Sequence, residues 1–169
     1  MNGLAVQLDY SVNTTDTPSE ALFQQWTNTL NECVACCGNI CVRIVSSEEM
    51  SQLNAKFRDK QGLTNVLSFE ADTRNIPPQV LLENEELRDL LGDIAICADV
   101  VASESIAQNK LKEAHWAHLF VHGVLHLCGY DHIDDSDATV MENLETQILL
   151  AMGYAAPYCD INEITTRVS

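Results

Sequence analysis

Four histidines, His115, His118, His122 and His126, recur three, four and four residues apart, and a fifth, His132, follows a glycine at 129. Residues at that spacing share one face of an α-helix, so the first four form a single stripe. Two imidazoles one turn apart can aim at the same ion, as the paired histidines of helical zinc sites do. His118 with His122 and His122 with His126 both satisfy that spacing. The stretch HGVLHLCGYDH separates them, because Gly129 can adopt the left-handed conformation that stops a helix and return Tyr130, Asp131 and His132 along its last turn. Such a return reaches His126 more easily than His118. His122, His126 and His132 are therefore assigned to one zinc ion at the C-terminal end of a helix, with His118 as a neighbour outside the ligand set. Surface histidines each bonded to a nearby carboxylate are the plainer alternative; three in this frame, beside a helix-stopping glycine, argue against it.

Three neutral imidazoles leave the charge of a divalent ion uncancelled and one position open, which is the arrangement of a catalytic rather than a structural zinc. No obvious fourth ligand stands nearby. The frame His-x3-His-x2-Gly-x2-His is shared with a large class of zinc proteases, whose glutamate after the first histidine takes a proton from the attacking water. Here that position is Gly123, which can neither accept nor donate one. Glycine inside a helix costs ~1 kcal/mol relative to alanine, so another backbone or a substrate is expected to come close there. Cleavage of an RNA phosphodiester depends less on such a base, since the nucleophile can be the substrate's own 2′-hydroxyl or a metal-bound hydroxide while the ion stabilises a phosphoryl oxygen. An arginine would then hold the phosphoryl oxygens by paired, charge-assisted hydrogen bonds.

The elements that must position these groups follow from pattern. LAVQLDY, ICVRIV, NVLSFE and GDIAIC read as four strands. A helix from Pro18 to about Cys33 has Ser19 as its cap. Ser46 and Glu49 form a capping-box pattern before a second helix, on which Met50, Leu53 and Phe57 share one face, so Phe57 is read as core rather than as a stacking platform. Arg58 and Lys60 emerge where that helix ends. A polar excursion with Pro77 and Pro78 holds a short acidic helix. Helices over about 98–109, 112–127 and 136–152 complete the chain; the last turns Met141, Leu144, Ile148 and Ala151 inward and stops at Gly153. The result is an α+β fold, a single domain over 1–169 with about four strands in a mixed sheet and five or six helices.

A length of 169 residues with 46% apolar content suits one domain with a proper core. The net charge of −16, from 25 acids against 9 bases, repels a phosphate backbone overall. Yet Lys56, Arg58 and Lys60 gather three of those bases within five residues, which allows a local basic site on an acidic body. The start, MNGLAVQLDY, lacks the basic stretch and apolar run of a secretion signal, and no run reaches the roughly 18 apolar residues of a membrane span. The seven cysteines are an odd number, and without such a signal they are expected as thiols of a soluble cytoplasmic protein. Cys33, Cys36, Cys37 and Cys41 could ligate a metal in principle, but no second paired motif completes a zinc ribbon, and they read as core fillers.

With these motifs in hand, the chain resembles the YbeY family of bacterial metal-dependent endoribonucleases. The resemblance rests on HGVLHLCGYDH, LNAKFRDKQGLTNVLSF, LGDIAIC, and MENLETQILLAMGY followed by Pro157 and Tyr158, in family order. It implies that His122, His126 and His132 are the family's zinc histidines and that Arg58 is its functionally important arginine; Lys56 and Lys60, read from their place beside it, are either further RNA contacts or ordinary surface charge. It also implies single-strand-specific, zinc-dependent RNA cleavage, maturation of the 3′ end of small-subunit ribosomal RNA, and late ribosome quality control. The implied partners are RNA and the ribosome or its small-subunit proteins, with neither DNA nor a membrane. Two positions depart from the family pattern: Glu70 replaces the usual proline after SF, and Asn65 stands where many members carry aspartate, so no catalytic role is given to it. The rivals are a ribosome-assembly factor that binds RNA and keeps a structural metal, and a zinc metalloprotease, which Gly123 disfavours. His118, Asp131 and a second water all remain open as the proton-transfer group.

Overall fold

The computed structural model describes residues 3–12, 16–60, 62–130 and 134–157. Strands β1 (Leu4–Tyr10), β2 (Gly38–Val45), β3 (Val66–Glu70) and β4 (Leu90–Cys97) form one sheet in the order β1-β2-β4-β3. β1, β2 and β4 run parallel, whereas β3 pairs antiparallel with β4 and forms an edge. Seven helices accompany the sheet among the described residues: α1 (Glu20–Cys33), α2 (Ser47–Arg58), α3 (Pro78–Glu83), α4 (Glu85–Arg88), α5 (Ala98–Ala107), α6 (Lys112–Leu127) and α7 (Asp135–Ala151). The expected α+β class and four-stranded mixed sheet are found. The expected five or six helices become seven, because the excursion after Pro77 breaks at Asn84. That residue is extended, and its side chain caps Leu87 N at 3.3 Å, so α4 starts afresh.

Strand alternation divides the apolar residues between two faces. Ile40, Val42 and Ile44 of β2 and Ile94 and Ile96 of β4 join the larger core, built with Phe23 and Trp26 of α1 and the buried side of α6. The other face carries a much smaller cluster of Val45, Met50, Leu67, Ala95 and Cys97. α6 is buried along most of its length, with Trp116, Phe120, Val121, Val124 and Leu125 at 0–1% exposure. A helix apolar around so much of its girth must be enclosed: sheet lies on one side of it, with α7 and α5 on others.

The caps follow the sequence. Ser19 Oγ accepts from Leu22 N and Ser46 Oγ from Glu49 N, each at 3.2 Å. α6 closes in a Schellman turn: Gly129 sits at φ +99°, its N–H donates to His126 O at 3.1 Å, and Tyr130 N–H donates to Leu125 O at 3.0 Å. α7 ends likewise, with Tyr154 N–H on Leu149 O at 2.9 Å. Tyr154 Oη then accepts from Trp26 Nε1 and donates to Glu113, tying that end to α1 and α6.

Three expectations about side-chain placement are corrected. Ala151 is exposed; the inward face of α7 carries the expected Met141 and Ile148, with Leu144 partly buried against the core, and adds Glu145 and Leu149. Phe57 is 50% exposed, because burial falls away along α2 from Met50 through Leu53 as that helix outruns the small cluster beneath it. Cys33 and Cys37 are exposed and Cys41 is only partly buried, so these three are not core fillers, whereas the partly buried Cys36 does pack against the larger core. Among the described residues no helix is long and apolar enough to cross a membrane.

Candidate active site

The middle of the histidine stripe of α6 faces α7, and its organising group is a carboxylate. Glu145 is wholly buried; one of its oxygens lies 2.9 Å from His118 Nε2 and the other 2.6 Å from His122 Nδ1. A carboxylate against Nδ1 makes that nitrogen the proton carrier and leaves Nε2 of His122 with its lone pair outward. His126 answers it, Nε2 to Nε2, at 3.0 Å. His118 commits its own Nε2 to Glu145 and so lies outside this convergence. Two nitrogens at 2.0–2.1 Å from one tetrahedral zinc stand roughly 3.3 Å apart, so the spacing and nitrogen chemistry of this pair fit such an ion. Among the described residues no group of three or more histidine, cysteine or acidic side chains is arranged to hold a metal. His132, assigned as third ligand, and Asp131 both lie outside the described residues.

Glu145 was missed from sequence, although a signal for it existed. It stands four residues after Met141 and three before Ile148, on the apolar stripe of α7. An acid in that register needs a buried partner, and the inward-facing imidazoles of α6 were available.

Gly123 is explained by the sheet rather than by another backbone or a substrate. A Cβ there would stand 3.0 Å from Ile94 Cγ2 and 3.2 Å from Ser68 Oγ. Ser68 Oγ donates to Gly123 O at 3.2 Å, so the helix rests on β3 and β4 at this point. A glutamate at 123 would have to displace both neighbours.

Arg58 emerges from the end of α2, on the other face of the sheet from α6. Its guanidinium donates to the carbonyl of Ser68 and lies 5.1 Å over the Phe69 ring. Ser68 thus joins the two halves: its hydroxyl holds the histidine helix and its carbonyl holds the arginine. A cavity of about 1070 Å³ draws its lining from both faces of β3, including His122, His126 and Tyr130 on one side and Phe57, Arg58, Phe69 and Arg43 on the other. Acids also line it. Asp72 is gripped by Arg74 at 2.8 and 2.9 Å, which holds its carboxyl down to about 2; Glu70 and Asp93 complete the set.

The remaining candidates are peripheral. Lys56 is exposed with Nζ 5.1 Å over the Phe57 ring. Lys60 is exposed just after the left-handed Asp59 that ends α2, and it does not line the cavity. Asn65 Nδ2 donates to Glu104 at 3.0 Å, the same carboxylate oxygen that meets His115 Nε2; an ionised aspartate at 65 would have no proton to offer it. His115 has its pKa lowered, by burial first, against the opposing pull of Glu104. Cys36 and Cys128 both line a smaller cavity beside Gly129, and burial, then contact with Cys36, raises the Cys128 thiol.

The sequence matches known proteins over most of its length. The family model described as Endoribonuclease YbeY matches residues 7–153. A protein of Nitrosococcus oceani named Endoribonuclease YbeY is 43% identical over 155 residues, covering 92% of this chain and 97% of its own. One of Cellvibrio japonicus with the same name is 44% identical over 160 residues, covering 90% and 82%. The solution structure of a Thermotoga maritima protein shares the fold at a TM-score of 0.61 and 22% identity, over 87% of this chain and 88% of its own. The chain belongs to the YbeY endoribonuclease family.

Proposed function

We propose that this chain is a zinc-dependent endoribonuclease that cuts single-stranded RNA, with one ion held by His122, His126 and His132. In this reading it matures the 3′ end of small-subunit ribosomal RNA and serves late ribosome quality control in the cytoplasm, with the ribosome or its small-subunit proteins as partners and residues 1–169 as one working unit. The observation that carries the reading is the pairing of His122 and His126 Nε2 atoms at 3.0 Å beside a cavity that Arg58 also lines.

A bound zinc ion would supply Lewis acidity toward a phosphoryl oxygen. The chain's own groups do the rest. Glu145 holds His122 in one tautomer and orientation, so no reorganisation is needed when charge develops. Arg58 has five N–H donors, and one rests on Ser68, which leaves the fork able to take phosphate oxygens while its position is kept. Gly123 offers no side-chain base, which fits a substrate that carries its own 2′-hydroxyl nucleophile better than a peptide.

The test is cleavage of single-stranded RNA by the purified chain. His126→Ala should abolish it, and His132→Ala should lower zinc per chain; an undiminished rate in the first variant sinks the reading. An unstructured protein substrate should remain intact.

A further inference from the structure

The end of α2 presents an aromatic surface that the reading above leaves without a task. Phe57 is half exposed and stands edge-on to Phe69, ring centres 5.3 Å apart at 64°. Lys56 Nζ is 5.1 Å over the first ring and the Arg58 guanidinium 5.1 Å over the second. Singly exposed phenylalanines are ordinary. What distinguishes this one is its place: Phe57, Phe69 and Arg58 all line the cavity that His122 and His126 line. Leaving a large apolar side chain half in water forgoes part of the stabilisation that its burial would give. Here it does so within the row Lys56, Phe57, Phe69, Arg58.

Aromatic faces flanked by cations are how proteins without base readout hold single strands, because every base has a π-face and every nucleotide a phosphate. On an acidic chain, the cationic fringe beside these rings complements a phosphate backbone there. In a helical duplex the base faces cover one another, so only an unstacked base can use such a shelf.

We propose that Phe57, buttressed by Phe69, is the stacking shelf for one unpaired base next to the scissile phosphate, with Lys56 on that nucleotide's backbone. The shelf thereby makes the site selective for single strands. This deepens the endoribonuclease reading and rests on it.

The experiment measures binding of the full chain to a labelled single-stranded RNA by fluorescence anisotropy, with an abasic nucleotide moved along the strand. For the wild type, one abasic position should weaken binding roughly 5- to 150-fold. Phe57→Ala should lose as much on intact RNA and be indifferent to that abasic position, Phe57→Trp should behave as the wild type, and only the alanine variant should cut single and double strands at more similar rates. Indifference of the wild type to every abasic position, the result a protein-binding shelf would give, overturns the proposal. So does an equal loss for Phe57→Ala on intact and abasic strands. If Phe57→Ala binds and cuts like the wild type, the shelf fails while the endoribonuclease reading stands; if the wild type neither binds nor cuts RNA, both fall.

Discussion

The two faces of the sheet contribute to the site in different ways. On the α6 face, His122 stands on a helix locked into the larger core, its imidazole pinned by a carboxylate with no solvent exposure and the helix end closed by a Schellman turn. On the α2 face, Arg58 hangs from the exposed end of a helix over a five-residue cluster, steadied by a backbone carbonyl and a ring face. The difference suits the two proposed tasks. An ion needs nitrogens placed to within tenths of an ångström, which only a densely packed surround supplies. A phosphate on a flexible strand is met better by a long cation that can follow it.

That contrast predicts a separation of effects. Arg58→Ala should reduce RNA cleavage by about 10²- to 10³-fold while the melting curve of the chain moves by less than ~0.5 kcal/mol. A large loss of stability would mean that the α2 face is as built-in as the α6 face, and full cleavage would remove the arginine from the chemistry. Glu145→Gln should act on the other side, lowering zinc affinity by about 10- to 100-fold and also destabilising the metal-free chain by about 1–3 kcal/mol, since its amide N–H₂ would confront an imidazole donor. Zinc titration and thermal melts read the two quantities; loss of affinity without loss of stability would show that the carboxylate is not needed to hold the helices together.

The smallest expected effect concerns His115, further along the same stripe. Burial lowers its pKa below the ordinary 6.5. As pH falls below that value the unfolded chain takes up a proton that the folded chain still refuses, so stability present at neutral pH is lost down through the folded-state pKa. Melting temperature should therefore decline with acidity over this window more steeply in the wild type than in His115→Gln. Equal slopes would place the acid sensitivity of the α6 face elsewhere.

Much of this was legible in the chain itself. Period and punctuation located every strand, the caps at Ser19 and Ser46, and the helix stops at Gly129 and Gly153, because those signals act over a few neighbouring residues. The stripe of histidines was legible for the same reason. Phe57 shows the limit: its register with Met50 and Leu53 reports which side of the helix it occupies, but not that the cluster beneath ends before reaching it. Gly123 shows another, since a helical glycine announces a close approach without saying whether sheet, backbone or ligand makes it.

Local pattern thus determined the elements, the imidazole spacing and the cation at the end of α2. The tertiary structure alone decided that Glu145, 23 residues beyond His122, sets that ring's tautomer, and that Ser68 ties the histidine helix and Arg58 to opposite sides of one edge strand. Those contacts join segments whose separation along the chain carries no periodic signal, and they exist only once packing has brought the segments together.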